Sequence, residues 1–136
     1  MYRIFGDMLS GNCYKIKLLV QFIALEHECI PVDIMAGETH TPEFKQINPN
    51  AKIPTIALEN GQYLWESNAI LNYLATDTTF LPSSKYERAQ VLQWQFFEQY
   101  SHCLVYTSPS PRDSTLERVC RLLRETGGGG GGGGGG

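Results

Sequence analysis

The chain has 136 residues, of which 42% are hydrophobic and 18% are charged, a composition typical of one globular domain with additional material. Its formal net charge of −3 argues against a nucleic-acid partner, which would require a basic patch. The amino terminus lacks the apolar core of a signal peptide, and no segment approaches the ~18 continuous apolar residues of a membrane span. We therefore expect a cytoplasmic protein with neither a nucleic-acid nor a membrane partner.

The first part of the chain alternates between strand and helix patterns. Tyr2–Gly6 is a short strand pattern, and the apolar spacing that starts at Ile16 predicts an amphipathic helix. Cys29–Ile34 is rich in β-branched residues and predicts a second strand. A polar loop, Met35–Thr41, precedes a short predicted helix over Pro42–Ile47, with proline in its first turn.

Two more strands and a helix follow. Thr55–Leu58 and Gln62–Trp65 flank an Asn-Gly pair, which is a strong hairpin signal. Ser67–Ala75 then has a helical pattern. The order β-α-β-α-β-β-α predicts an α/β fold, a small mixed sheet covered by helices. We expect Tyr63 and Trp65 of this region to belong to its core.

The remaining residues change in character along the chain. Residues 79–84 are a predicted linker, and Lys85 begins a longer predicted helix that extends to Leu104 and has a broad apolar surface. Pro109 and Pro111 cannot continue a helix, and ten consecutive glycines close the chain. We expect residues 105–136 to be a non-native or disordered tail.

The four cysteines predict neither a metal site nor a redox pair. They show no CxxC spacing and no metal-ligand pairing with the histidines. Reduced, mostly buried thiols are the expected state.

Two segments, Asn48–Thr55 and Trp65–Ile70, are the most informative. The first sets Pro54 directly before a strand, and only an X-Pro bond adopts the cis form at low cost. The second sets Glu66 and Ser67 at a helix start, where free N–H groups and the positive dipole end favour a carboxylate. Together they suit the binding of a small peptide by its backbone and its charged end. Taken singly, the proline is typical of a turn and the serine of an N-cap.

The motifs Asn-Pro-x-x-Lys-Ile-Pro-Thr and Glu-Ser-Asn-Ala-Ile-Leu-x-Tyr-Leu resemble the amino-terminal domain of cytosolic, bacterial-type glutathione transferases. The resemblance runs from about Tyr2 to Ala75 and continues to about His102 as the start of an all-helical domain. It implies a thioredoxin-like domain over residues 1–78 and a truncated all-α domain whose first helix spans 85–104. It also implies glutathione as co-substrate, with no metal, a small electrophile as second substrate and a homodimer in the intact family member.

The resemblance assigns a catalytic role to Ser10, whose hydroxyl would stabilise the glutathione thiolate, with Asn12 as a second donor to the sulfur. The alternative is that Ser10 only caps the helix that follows it. Thioredoxins and glutaredoxins place a nucleophilic cysteine at this point of the fold. Here Ser10 stands first in the motif and Cys13 fourth, so we expect Cys13 to be an inert buried thiol.

The resemblance also assigns the glutathione-binding residues. The backbone of Ile53, beside a cis Pro54, would meet the cysteinyl unit. Glu66 would accept the γ-glutamyl ammonium, and Ser67 with the helix N-terminus would bind the γ-glutamyl carboxylate. The glycyl carboxylate would be met by Lys52 and His40.

Three functions are open at this point. The first is transfer of the glutathione thiolate to small electrophiles, by a transferase or a fragment of one. The second is a non-catalytic interaction module of the same fold, and the third is a glutathione-dependent thiol or peroxide reductase. The intact site residues disfavour the second function, and the missing first cysteine disfavours the third.

Overall fold

A computed structural model describes residues 1–101 of the chain, with only the backbone of Ser101. Its strands and helices are β1 (Tyr2–Gly6), α1 (Gly11–Phe22), β2 (His27–Pro31), α2 (Pro42–Ile47), β3 (Thr55–Ala57), β4 (Tyr63–Trp65), α3 (Ser67–Ala75) and α4 (Lys85–Ser101). A short 3₁₀ turn, Glu38–His40, lies within the predicted loop before α2. The chain divides into two units, Met1–Gln95 and Phe96–Gly136, and the structure describes the second only as far as Ser101.

The four strands form one mixed sheet in the order β2-β1-β3-β4. β1 is parallel to β2 and antiparallel to β3, and β3 is antiparallel to β4. The α/β, thioredoxin-like order expected from the sequence is therefore confirmed. β1 and β3 are central, whereas β2 and β4 are edge strands of the described sheet.

Helices α1 and α3 pack against each other and bury the apolar residues predicted from their spacing. Ile16 and Val20 of α1, Ile56 of β3 and Ile70 of α3 are completely buried. Each isoleucine side chain buried in this way contributes about 1.5–3 kcal/mol relative to an exposed one. The remaining members of the core cluster are Ile4, Leu19, Leu74 and Ala75. This packing fixes the start of α3 beside α1.

Local sequence signals account for α2 and for the β3–β4 hairpin. Thr41 caps α2, because its Oγ1 accepts from the Phe44 N–H at 3.2 Å, and Pro42 occupies the first turn. In the hairpin, Gly61 has φ 84°, a left-handed conformation that favours glycine. The Leu58 N–H donates to the Gln62 carbonyl at 2.8 Å and closes the turn.

The second strand differs from its predicted position. The sequence predicted Cys29–Ile34, but β2 spans His27–Pro31. Its parallel register begins at the Tyr2–His27 pair and ends at the Gly6–Pro31 pair, where β1 itself ends. The length of β1, rather than the run of β-branched residues, therefore sets the bounds of β2.

Helix α4 extends over Lys85–Ser101, and the predicted continuation to Leu104 lies outside the described residues. Several large side chains are exposed along it: Tyr86, Leu92, Trp94, Phe96, Phe97 and Tyr100. Within the first unit, Asn72 Nδ2 donates to Gln95 Oε1 at 2.7 Å and links α3 to α4. No helix within residues 1–101 is long and apolar enough to cross a membrane. The predicted tail, 105–136, falls outside the described residues, and the boundaries at 78 and 84 stay predictions.

Candidate functional site

The strand register brings three segments to one edge of the sheet. Phe5, near the end of β1, pairs with Thr55 at the start of β3, and Thr55 pairs with Trp65 at the end of β4. The residues after β1, before β3 and after β4 therefore lie at the same edge of the sheet, the one where β1 and β4 end and β3 begins. These segments contain every sequence-predicted site residue except His40.

Ser10 directly precedes α1, where a short turn positions it. Its N–H donates to the Asp7 carbonyl at 3.1 Å, and its own carbonyl accepts from the Cys13 N–H at 3.0 Å. The side chain makes no capping hydrogen bond to α1. The half-buried hydroxyl lies beside the sulfur of Cys13 and acts to lower the pKa of that thiol. The alternative in which Ser10 only caps the helix therefore has no capping bond to support it.

Cys13 is 4% exposed, which confirms the prediction of a buried thiol. Its sulfur packs so closely on Gly6 that a Cβ added there would lie 2.7 Å from Sγ, so any larger residue would have to displace the sulfur. Burial raises the pKa of the Cys13 thiol, and the hydrogen bond with Ser10 partly opposes this rise. A thiol held in its protonated form is a poor nucleophile. Cys29, by contrast, is exposed, so the expectation of mostly buried thiols is wrong at that position.

Asn12 and Ser67 meet across the junction of α1 and α3. Ser67 is the first residue of α3 and is 5% exposed, and its Oγ donates to Asn12 Oδ1 at 3.2 Å. Two predicted site residues that are far apart in the sequence are thus in direct contact. This contact also fixes the start of α3 relative to Ser10, two residues before Asn12.

Glu66, immediately before α3, has an unusual backbone conformation. Its φ of 73° and ψ of 113° lie outside the regions favoured by residues with a side chain. Such strain costs on the order of 1–3 kcal/mol and is concentrated at binding and catalytic sites. The exposed carboxylate caps no helix and makes no hydrogen bond or ion pair within residues 1–101.

The loop before β3 contains Lys52, Ile53 and Pro54. The Ile53–Pro54 peptide bond is cis, as the sequence predicted. Pro54 is buried, Ile53 is half-buried and the Lys52 side chain is exposed. The Lys52 carbonyl points inward, because it accepts from Asn48 Nδ2 at 2.7 Å and from Thr55 Oγ1 at 3.2 Å.

His40 is not brought to the site by the strand register. It ends the 3₁₀ turn before α2, and its side chain is exposed. Tyr63 and Trp65 also differ from expectation, since they are 39% and 38% exposed rather than part of the core. Both belong to the edge strand β4, which has a neighbouring strand on one side only.

Two residues near the site were not identified from the sequence. Lys15 Nζ donates to Asn68 Oδ1 at 2.8 Å, which places an ammonium group beside the first turn of α3. Its position three residues after Asn12, on the same face of α1, was the available signal. Asn48 was part of the quoted motif but had no assigned role. Among residues 1–101, no group of three or more His, Cys, Asp or Glu side chains could hold a metal ion.

Comparison with known proteins places these features in a family. Residues 2–76 match the model of the glutathione S-transferase N-terminal domain. The disulfide-bond oxidoreductase YfcG of Escherichia coli is 42% identical over 96 residues, which cover 65% of this chain and 45% of YfcG.

Solved structures agree with this assignment. The crystal structure of a glutathione S-transferase from Pseudomonas fluorescens has a TM-score of 0.74 and 46% identity, over 90% of this chain and 65% of that one. Ure2p in complex with glutathione has a TM-score of 0.67 and 26% identity, over 73% of this chain and 49% of that one. The chain spans less than half the length of the curated relatives that it matches. It belongs to the glutathione S-transferase N-terminal domain family.

Proposed function

We propose that this chain binds glutathione at the sheet edge formed by the segments after β1, before β3 and after β4, and that it promotes transfer of the glutathione thiolate to small electrophiles. The contact between Ser67 Oγ and Asn12 Oδ1 carries the proposal, because it joins the residues assigned to the two ends of the γ-glutamylcysteine unit. The glutathione complex of Ure2p, a structure of the same fold, supports glutathione as the ligand.

The γ-glutamyl unit is assigned to the start of α3. The free N–H groups and positive dipole end of this helix favour a carboxylate, and the Ser67 hydroxyl can turn its one hydrogen from Asn12 Oδ1 to that carboxylate. The exposed Glu66 carboxylate is suited to the γ-glutamyl ammonium, since it makes no hydrogen bond or ion pair of its own within residues 1–101. The ammonium and the carboxylate of the γ-glutamyl unit are thereby matched by two adjacent residues.

The rest of glutathione is assigned to the loop before β3. The backbone N–H and C=O of Ile53, next to Pro54, would pair with the cysteinyl unit in the manner of an added strand. The exposed Lys52 ammonium is suited to the glycyl carboxylate. His40 is kept as a second cationic partner for that carboxylate.

The chemistry depends on the ionised form of the glutathione sulfur, because the thiolate is the nucleophile. A hydrogen bond donated by the Ser10 hydroxyl, with Asn12 nearby, stabilises the thiolate and lowers the pKa of the bound thiol. The sulfur then forms a bond to the electrophilic carbon, the leaving group departs with its electron pair, and the thiol proton passes to solvent.

Disulfide reduction is a second candidate, favoured by the 42% identity to a disulfide-bond oxidoreductase. The missing first cysteine disfavours a mechanism that uses a thiol of the protein. The thiolate of bound glutathione can itself attack a disulfide, form a mixed disulfide and release the other sulfur as a thiolate. A second glutathione thiolate then attacks the glutathione sulfur of the mixed disulfide, which forms oxidised glutathione and releases the remaining substrate sulfur as a thiolate.

Calorimetric titration with glutathione tests the binding step for the full chain. Glutathione is expected to bind, whereas the dipeptide cysteinylglycine, which lacks the γ-glutamyl group, is expected to bind much more weakly. Parallel assays with 1-chloro-2,4-dinitrobenzene and with hydroxyethyl disulfide separate transfer from disulfide reduction. Equal affinity for the two peptides would contradict the assignment of Glu66 and Ser67. A homodimer and a cytoplasmic location stay predictions.

A further inference from the structure

The side chain of Asn48 is a buried polar group at the centre of the loop before β3. It is 1% exposed, although asparagine is usually found at the protein surface. Asn48 follows the last residue of α2, and its own N–H donates to the Phe44 carbonyl at 2.9 Å. A buried amide is retained at low energy only when its donors and acceptor are satisfied.

The hydrogen-bond donors and the acceptor of the Asn48 carboxamide all have partners within this loop. Nδ2 donates to the Lys52 carbonyl at 2.7 Å and to Thr55 Oγ1 at 3.0 Å, so both of its hydrogens are used. Oδ1 accepts from the Asn50 N–H at 3.0 Å. One side chain therefore connects the end of α2, the turn at Asn50 and the first residue of β3.

These bonds determine the course of the backbone through the proposed binding segment. The Ala51 N–H donates to the Asn48 carbonyl at 2.9 Å, and Ala51 has φ 52°, a conformation that side chains disfavour and that the surrounding bonds must hold. The Lys52 carbonyl belongs to the peptide unit that supplies the N–H of Ile53. Because Asn48 fixes that carbonyl inward, it also sets the direction of the Ile53 N–H.

We propose that Asn48 is a positioning residue for glutathione, which holds the peptide units of Lys52 and Ile53 in the orientation that meets the cysteinyl and glycyl units. This inference rests on the proposed glutathione site. Asn48 itself does not touch the ligand. It acts through Lys52 and Ile53, so its loss affects recognition of the carboxyl-terminal part of glutathione more than recognition of the γ-glutamyl end.

The test uses Asn48→Asp in the full chain, with Asn60→Asp as a matched control. Asn48→Asp keeps the shape of the side chain but replaces the Nδ2 donor by an oxygen that faces the Lys52 carbonyl. Asn60 loses a comparable donor, because its Nδ2 donates to Gln62 Oε1 at 2.8 Å, but it is exposed in the hairpin turn. We expect Asn48→Asp to weaken glutathione binding about tenfold at neutral pH, whereas Asn60→Asp leaves it unchanged.

Two readouts separate positioning from a general loss of structure. The preference for glutathione over γ-glutamylcysteine, which lacks the glycine, should shrink in Asn48→Asp. In addition, the ratio of variant to wild-type affinity should recover at acidic pH, because a protonated carboxyl regains one donor. An unchanged preference, with both ligands weakened equally, would overturn the positioning role.

A second variant covers the case in which Asn48→Asp does not fold. Thr55→Val removes only the hydroxyl that accepts from Asn48 and donates to the Lys52 carbonyl at 3.2 Å, and it is expected to reduce the glutathione preference in the same direction by a smaller factor. An unchanged preference in this variant would also contradict the proposal.

Hydrogen exchange of the unliganded protein distinguishes failure of this inference from failure of the proposed function. The amides of Asn50 and Ala51 should exchange faster in Asn48→Ala, which removes the acceptor of the Asn50 N–H and loosens the turn, than in Asn60→Asp. If they do so while the wild-type chain binds no glutathione, the glutathione site is wrong and the fixing of the loop by Asn48 stands. Unchanged exchange would show that Asn48 does not hold the loop.

Discussion

Replacement of Ser67 by alanine tests the contact between α1 and α3 on which the proposed site depends. The Ser67 hydroxyl is buried and donates to Asn12 Oδ1 at 3.2 Å. Ser67→Ala deletes this bond and leaves a half-buried amide oxygen without that donor, while the rest of the side chain fits unchanged. The variant is therefore expected to fold.

The expected losses of stability and of glutathione affinity follow from the bonds that the hydroxyl makes in the free protein and in the complex. Loss of one neutral hydrogen bond lowers the free energy of unfolding by about 0.5–1.5 kcal/mol. In a domain of this size, each lost kcal/mol lowers the melting temperature by roughly 4–8 °C. In the complex the same hydrogen turns to the γ-glutamyl carboxylate, so its loss weakens glutathione binding by up to ~1.5–3 kcal/mol, which is about 10- to 150-fold in Kd.

The assay combines thermal unfolding with isothermal titration of glutathione. Thr76→Val is the matched control, because the Thr76 hydroxyl donates to the Asn72 carbonyl at 2.9 Å at the opposite end of α3. The control should lose some stability and keep its glutathione affinity. If Ser67→Ala and Thr76→Val lose the same stability and both keep wild-type affinity, Ser67 is only a structural residue and the assignment fails.

Four further predictions follow from the described residues. Ser10→Ala should lower turnover and raise the pKa of the bound glutathione thiol, read from thiolate ultraviolet absorbance against pH, with glutathione affinity nearly unchanged. Glu66→Gln should weaken glutathione binding by about 1.5–3 kcal/mol in calorimetry without lowering the melting temperature, because its carboxylate makes no bond within residues 1–101. Iodoacetamide should alkylate Cys29 before Cys13 in peptide mass mapping. The same burial raises the folded-state pKa of Cys13 above the ordinary value of 9.0, so as a second readout its contribution to stability should be present below that pH and fall at higher pH, a dependence absent from Cys13→Ser. Leu92→Gln should reduce self-association in sedimentation velocity, because Leu92 belongs to the exposed apolar side chains of α4.

The parts of the fold that depend on neighbouring residues could be predicted from the sequence. The Thr41 cap and Pro42 define the start of α2, and Gly61 defines the hairpin turn. The bounds of β2 could not be predicted in this way. They are set by pairing with β1, a strand more than twenty residues away, whose length limits the parallel ladder to five pairs.

The candidate site shows the same division between features with a local sequence signal and features that depend on contacts between distant residues. Glu66 and Ser67 could be proposed from the sequence because a helix start has a local signature. The hydrogen bonds of the Asn48 amide could not be predicted, because its partners are brought together only when the loop closes. The exposure of Trp65 could not be predicted either. An aromatic strand pattern predicts a core position, and only the strand order shows that β4 lies at the edge of the sheet.

The central claim, that glutathione occupies the sheet edge joined by the Ser67–Asn12 contact, is tested most directly by an NMR titration of the isotope-labelled full chain with glutathione. We expect saturable shifts of the backbone amides of Asn12, Ile53 and Ser67, which lie in three separate segments. Shifts confined to another region, such as the cleft of about 380 Å³ lined by Thr76 and Arg88, would contradict the proposed site, as would the absence of any shift at millimolar glutathione.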